Sequence, residues 1–173
     1  MTSTVESRIA FRSEHLDSRR IALQDKANII ALYTNANVMR YIDLGAAAKS
    51  GEDIFANIQK ANQSKSPKGV YWGIFRRSDN AFIGLQGLTF DPNNKQRAEI
   101  GIMLFPQFSG AGLATEALSG MIKHGFEQLH FTQLFAHYDA NNQSVKRLAQ
   151  RLKFDHVVDD QCNITKQHWQ SLD

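Results

Sequence analysis

Cysteine is almost missing from this chain. Cys162 stands alone among 173 residues, which excludes an internal disulfide and a cysteine-rich metal site and accords with a reducing cytoplasm. Prolines number only three, and no low-complexity linker or internal repeat is visible. No stretch approaches the roughly 20 apolar residues that span a bilayer. The opening Met1-Thr-Ser-Thr-Val-Glu6 also lacks the apolar run of a signal peptide, so no membrane role is expected. Nor does one charge sign dominate: 20 Lys and Arg against 17 Asp and Glu leave +3. That excess is scattered, whereas nucleic-acid binders gather basic charge on one face or arm, so no nucleic-acid partner is expected. A weak positive field does favour an anionic cofactor. Six histidines (His15, His124, His130, His137, His156 and His168) form no H-x-x-x-H or H-E-x-x-H pair, and no metal site is expected.

What is present is the composition of a globular chain, 42% hydrophobic and 21% charged. Residues 1–173 fit one domain. Arg19-Arg-Ile-Ala-Leu23 reads as a first strand, and Asp25 as the cap of a helix whose stripe is Ala27, Ile30, Ala31 and Val38. A second helix covers 52–61, with Ile54, Phe55 and Ile58 on one face. The period then changes. Segments 70–75, 81–88 and 98–105 are strand-like and separated by turn signals at Ser78-Asp-Asn80 and Asp91-Pro-Asn-Asn94, which predicts three antiparallel strands. Trp72, Phe75 and Phe82 read as core aromatics. The strongest helical pattern follows, with Ala114, Ala117, Leu118, Met121, Ile122, Gly125, Phe126 and Leu129 at helical spacing. A strand at 133–138, a helix at about 142–152 and a strand at 154–158 read as a βαβ crossover with parallel strands. Asn163-Ile164 suggests a last strand, and Thr165 the cap of a turn carrying Trp169.

The informative segment is Gln107-Phe-Ser-Gly110-Ala-Gly112-Leu-Ala-Thr-Glu-Ala117. Pro106 ends the strand before it. Gly110 and Gly112 supply backbone freedom, and the helix that starts next directs free N–H groups and a positive dipole end at the loop. A pyrophosphate fits such a place; an ordinary strand-to-helix turn is the alternative. A P-loop is excluded because no Gly-Lys-Ser/Thr follows, and the third glycine of a Rossmann fingerprint is missing.

The wider pattern resembles the GNAT acetyltransferase superfamily. Residues 107–112 are similar to its Q/R-x-x-G-x-G/A motif, and Leu-Ala-Thr-Glu-Ala117 resembles the helix start of its Rim-type branch, which acetylates protein N-termini and other amines. Ala98-Glu-Ile-Gly101 resembles the strand before that motif, and Asn142-Gln-Ser-Val-Lys-Arg-Leu-Ala-Gln-Arg-Leu-Lys-Phe154 the family's N-x-x-M-x-x-L-A-x-x-L-G-F helix. Ser13-Glu-His-Leu16, Val38-Met-Arg-Tyr41 and Ile164-Thr165 with Trp169 resemble its opening, an early helix end and its close. The resemblance implies an α/β (α+β) three-layer fold: a mixed, mostly antiparallel sheet with a parallel β-α-β cofactor-binding core, flanked by helices. It implies transfer of acetyl from acetyl-coenzyme A to a primary amine by direct attack, with a non-catalytic coenzyme-A-binding sensor or interaction protein on the same fold as the alternative.

Residue by residue, the resemblance gives cofactor contacts to the backbone of Ile102, Met103 and Leu104, to Gln107, Phe108, Ser109, Gly110, Ala111, Gly112, Leu113 and Ala114, and to Asn142. Ser109 could equally be a simple turn residue, and Asn142 a plain helix cap, a job open to Asn141 as well. Glu99 is the candidate base. Strand alternation puts it on one face with Gly101, Met103 and Phe105, opposite Ile100, Ile102 and Leu104; a solvated strand carboxylate or a cross-strand ion pair with Arg97 or another base is the alternative. Two positions depart from the family. Lys153 stands where glycine is usual, implying an altered turn. Ala149 replaces the tyrosine that protonates the leaving thiolate in many members, leaving Tyr138 or Ser144 as substitutes or surface residues. The amine acceptor is not legible, since specificity in this family lies in loops such as 44–51 and 63–69. A homodimer is compatible with the reading but not specified.

Overall fold

A computed structural model describes residues 5–42, 44 and 50–172; the proposed specificity loop at 44–51 falls largely outside them. In chain order the elements are α1 (Val5–Arg8), β1 (Ile9–Arg12), β2 (Leu16–Arg20), a 3-10 turn at Leu23–Asp25, α2 (Lys26–Thr34), α3 (Ala36–Met39) and α4 (Gly51–Gln63). There follow β3 (Gly69–Arg76), β4 (Phe82–Phe90), β5 (Arg97–Leu104), a 3-10 turn at Pro106–Phe108 and α5 (Leu113–Glu127). The chain closes with β6 (Gln133–His137), α6 (Gln143–Arg151), β7 (His156–Val157), β8 (Gln161–Thr165) and α7 (Lys166–Gln170).

The strands form one mixed sheet in the order β1-β2-β3-β4-β5-β6-β8-β7. Every neighbouring pair is antiparallel except β5 and β6. Those two run parallel because α5 carries the chain back across the sheet between them, as parallel pairing requires. Alternation along the strands sorts side chains between two cores. Trp72, Leu88, Ala98, Ile100 and Leu134 bury with Leu118, Met121, Ile122 and Phe126 of α5 on one face. On the other, Leu85 buries with Ile29 and Leu32 of α2 and with Phe55 and Ile58 of α4, beside Tyr71 and Met103. Gly87 of β4 is a forced glycine: a Cβ there would lie 2.3 Å from Cδ1 of Tyr71, so the Tyr71 ring rests on bare backbone.

Several sequence expectations need correction. The strand expected at 19–23 is instead β2 (Leu16–Arg20), preceded by an unanticipated β1, and Ile21 and Ala22 leave the sheet before the 3-10 turn begins at Leu23. Alternation there is hidden because charged residues face inward: Asp17 and Arg19 are buried and bonded at 2.9 Å. Asp25 makes no side-chain cap of α2; its carboxylate accepts from Arg8 Nη1 and Ala22 N–H, both at 2.7 Å. The buried side of α2 turns on Ile29 and Leu32 rather than on Ala27, Ile30 and Ala31, because Ile29-Ile-Ala-Leu-Tyr33 is apolar all round and selects no face. The strand expected at 154–158 shrinks to His156–Val157. It points the same way as β6, but β8 lies between them, so the hydrogen-bonded parallel unit is β5-α5-β6. Lys153, in place of the usual glycine, takes φ of 56°, the left-handed geometry that glycine favours at helix ends.

Candidate active site

The parallel pairing of β5 with β6 is short. Its register runs Arg97 with Gln133, Ala98 with Leu134 and Glu99 with Phe135, then stops, while β5 continues to Leu104. At the next step the His137 N–H is turned onto the Glu99 carboxylate, 3.3 Å away, rather than onto a β5 carbonyl. Antiparallel ladders alternate bonded and non-bonded pairs. Bonds from Asp91 N to Arg97 O and from Phe105 N to Ile83 O therefore assign the odd residues of β5 to β4. The backbone groups of Ile102 and Leu104 consequently face the gap, and those of Met103 do not. Of the three backbone contacts expected for a cofactor, two are open and Met103 is committed to Leu85 across the β4 ladder.

The gap opens into a cavity of about 610 Å³. One side is lined by Ile102, Leu104, Pro106, Ser109, Ala114 and Leu118, with Asn142 and Val145 of the α6 region. At this mouth Gly110 and Gly112 have φ of 85° and 77°, and a Cβ on either would meet nothing within 4 Å. Gly112 caps α5 without any side-chain bond, and the first internal bond of the helix runs from Glu116 N–H to Gly112 O. The N–H groups of Leu113, Ala114 and Thr115 precede that ladder, the arrangement that attracts anions at helix starts. Gln107 and Ala111 lie exposed on the same loop, and Phe108 is held by the Arg76 guanidinium 5.0 Å above its ring. Glu116 anchors this helix start. Burial opposes its ionisation, but bonds from Ser13 Oγ (2.5 Å), His15 N–H (2.7 Å) and the His15 ring (2.9 Å) outweigh it, and its pKa lies below the usual carboxylate value. Two segments that resemble the family, 103 residues apart at this contact, thus meet here.

On the other face lie Glu99, Gly101 and Met103, as alternation implied, with Tyr33, Val38, Tyr41 and Ile42 beyond them. Gly101 leaves open space, since a Cβ would meet nothing within 4 Å. Glu99 is hydrogen-bonded to another base, His137 (Nδ1 at 3.2 Å), and not to Arg97, which pairs with Asp91 at 3.1 Å. Tyr71 spans from Gly87 to Thr89, its hydroxyl 3.2 Å from Thr89 Oγ1.

The α6 region separates the remaining candidates. Asn142 accepts from Val145 N–H at 3.4 Å, so it is the helix cap and also lines the cavity; Asn141 bonds Asp139 instead. Ala149 is buried against the cavity, leaving no hydroxyl at that position. Tyr138 also lines it, but its hydroxyl donates to Val158 O at 2.6 Å. Burial pushes its pKa up. Ser144 lies on the lining and accepts from Arg147 Nη2 at 3.4 Å. Cys162 is buried, and desolvation pushes its thiol up to about 11, so it stays protonated near neutrality.

Three residues were missed in the sequence. His137 pairs with Glu99; its place one step past the last β5–β6 pair was the signal, readable only once the register was known. Gln86 sits in an apolar strand, buried, donating to Ser18 Oγ at 2.9 Å while its Oε1 has no partner. It is paired with Ile102 and lines the cavity, leaving an acceptor for a ligand N–H. Arg151 of α6 reaches Thr115 Oγ1 at 3.4 Å, bringing a cation to the start of α5.

The sequence profile of the acetyltransferase (GNAT) domain matches residues 15–155. The chain is 31% identical over 143 residues to the uncharacterized N-acetyltransferase YoaA of Bacillus subtilis (strain 168), covering 82% of this chain and 80% of that protein. It is 25% identical over 145 residues to the uncharacterized N-acetyltransferase p20 of Bacillus licheniformis, with coverage of 82% and 80%. Among solved structures, the ribosomal L7/L12 alpha-N-protein acetyltransferase RimL in complex with coenzyme A superposes with a TM-score of 0.75 at 17% identity, over 92% of this chain and 99% of its own. A GNAT-family acetyltransferase from Bacillus anthracis gives 0.70 at 17% identity, with coverage of 90% and 98%. At those identities the solved structures speak to the fold.

Proposed function

The chain belongs to the acetyltransferase (GNAT) family, and on that premise we propose that it moves acetyl from acetyl-coenzyme A to a primary amine, on a small molecule or a protein N-terminus, by direct attack. One observation carries this reading: a single cavity at the β5–β6 gap has open helix N–H groups at one mouth and a carboxylate at the other. The residues present suit coenzyme A. Leu113, Ala114 and Thr115 N–H groups, with the loop at 107–112, would hold its phosphates. Ile102 and Leu104 backbone groups and the unpartnered Gln86 Oε1 would take its amides. Arg151 adds positive charge beside the helix start.

When bound, acetyl-coenzyme A supplies a thioester whose C–S bond breaks as the amine nitrogen bonds the acetyl carbon. Glu99 takes the proton that the attacking amine must lose, directly or through water, a role worth about 10²–10⁴ in rate. His137 fixes the Glu99 carboxylate through its ring and its backbone N–H. The Ile102 N–H faces the gap and can polarise a carbonyl there. Cys162 stays protonated, which favours direct attack over an acyl-enzyme. With Tyr138 tied to Val158 and Ala149 lacking a hydroxyl, water supplies the proton for the departing sulfur. A thiol of ordinary pKa near 8.5 leaves tolerably without a dedicated acid. We place this activity in the cytoplasm, where a lone thiol stays reduced.

Binding is tested by melting the protein with coenzyme A. At 100 times its dissociation constant a ligand stabilises by about 2.7 kcal/mol, which for a chain of this size raises Tm by roughly 5–10 °C. An unchanged Tm at millimolar coenzyme A would reject the site.

A further inference from the structure

The acceptor face of the cavity is poor in charge and rich in rings. Beyond the Glu99–His137 pair its walls are Tyr33, Val38, Tyr41, Ile42, Tyr71 and Met103. Among the described residues lining the whole cavity, Glu99 is the one carboxylate, and no lysine or arginine lines it. Tyr33 is strongly desolvated, which with the neighbouring Tyr71 pushes its hydroxyl up to about 12, so it remains a neutral phenol. The nearby cation Arg40 lies outside the lining, 5.3 Å over the Tyr41 ring.

We propose that the acceptor is a primary monoamine whose body is uncharged and aromatic or apolar, with its amine at Glu99 and its body among Tyr33, Tyr41 and Tyr71. This rests on the acetyl-transfer reading above and narrows it. A ring body stacks favourably on tyrosine faces, and the same faces attract the single ammonium as it enters. A diamine or an aminoglycoside would carry a second ammonium into a space where the described lining offers no second carboxylate, and a desolvated unpaired charge is costly. A free amino acid would set its own carboxylate near Glu99, with no lysine or arginine among the described lining residues to receive it. The lone-ammonium chemistry has two sources, a free amine or the N-terminus of a chain beginning with an apolar residue.

The test measures thiol release from acetyl-coenzyme A by the full chain with four acceptors: 2-phenylethylamine, 1,4-diaminobutane, phenylalanine, and an amidated tetrapeptide beginning with phenylalanine. The expected result is kcat/KM at least about tenfold higher for phenylethylamine or the peptide than for the diamine and the amino acid. The better of those two identifies the source. Equal or better turnover of the diamine or of phenylalanine overturns the proposal while leaving acetyl transfer standing. Thiol release with none of the four, despite a coenzyme A thermal shift, overturns it as well; absence of the thermal shift itself overturns the function reading. A second arm uses Asn37→Asp, which adds a carboxylate at an exposed lining position. It should shift the kcat/KM ratio at least about tenfold toward the diamine with coenzyme A affinity unchanged. An unmoved ratio in that folded variant would show that the acceptor does not lie on this face.

Discussion

At Gly112 the backbone sits at φ 77° and ψ −2°, a left-handed conformation that costs an L-residue roughly 1–2 kcal/mol. A Cβ added there meets no protein atom within 4 Å, so Gly112→Ala should lose about that amount of stability and no more. For a chain of this length the loss is a fall in Tm of roughly 2–8 °C. The same Cβ would stand in the open approach to the first N–H groups of α5. Losing one hydrogen bond to a charged partner removes about 1.5–3 kcal/mol, which is roughly a 10- to 150-fold weaker coenzyme A complex. Calorimetric titration of the folded variant separates the two effects. A variant that melts a few degrees low yet binds coenzyme A as the parent does would refute the phosphate assignment. One that fails to fold would refute the statement that the loop tolerates a side chain.

Glu99→Gln should lower kcat by about 10² or more with the KM for acetyl-coenzyme A held, as removal of a general base does; near-normal turnover would reduce Glu99 to a hydrogen-bond partner of His137. Cys162→Ser should retain turnover within about threefold, since a thiol at about 11 is not a nucleophile near neutrality, and a complete loss in a folded variant would point to an acyl-enzyme. Tyr138→Phe should cost less than about tenfold, because its hydroxyl is spent on Val158; a loss of about 10³ would make it the missing acid. His124 stacks on Phe11 at 4.6 Å, and burial holds its pKa below the ordinary 6.5. Its neutral form therefore supports the fold above that value, and the support is lost as pH falls through the depressed folded pKa. His124→Phe should shrink the drop in Tm between pH 7.5 and pH 5, and an unchanged drop would contradict the burial argument.

The elements that position the site were legible where periodicity is strong. The α5 helix, the three central strands and the glycine loop all follow from spacing, and so does the face shared by Glu99 and Gly101. What escaped was decided by register. Nothing local marks the end of the β5–β6 ladder at Phe135, yet that end frees Ile102 and Leu104 and turns His137 onto Glu99, while the β4 register commits Met103 to Leu85. The identity of Glu99's partner is likewise a tertiary fact: Arg97 is two residues away on the same strand, but the Asp91 turn takes it. At the N-terminus, burial of Asp17, Arg19 and Asp25 as ion-paired groups inverted the usual link between hydrophobicity and interior. That is why the bounds of β2 were misread.

Amine-dependent thiol release from acetyl-coenzyme A tests the central claim most directly. With an accepted amine present, the protein should release free thiol and form the acetylated amine in equal amounts. The thiol signal should fall to the uncatalysed rate when the amine is left out. Thiol release that is independent of amine, or no release with any primary amine while coenzyme A still raises Tm, would contradict it.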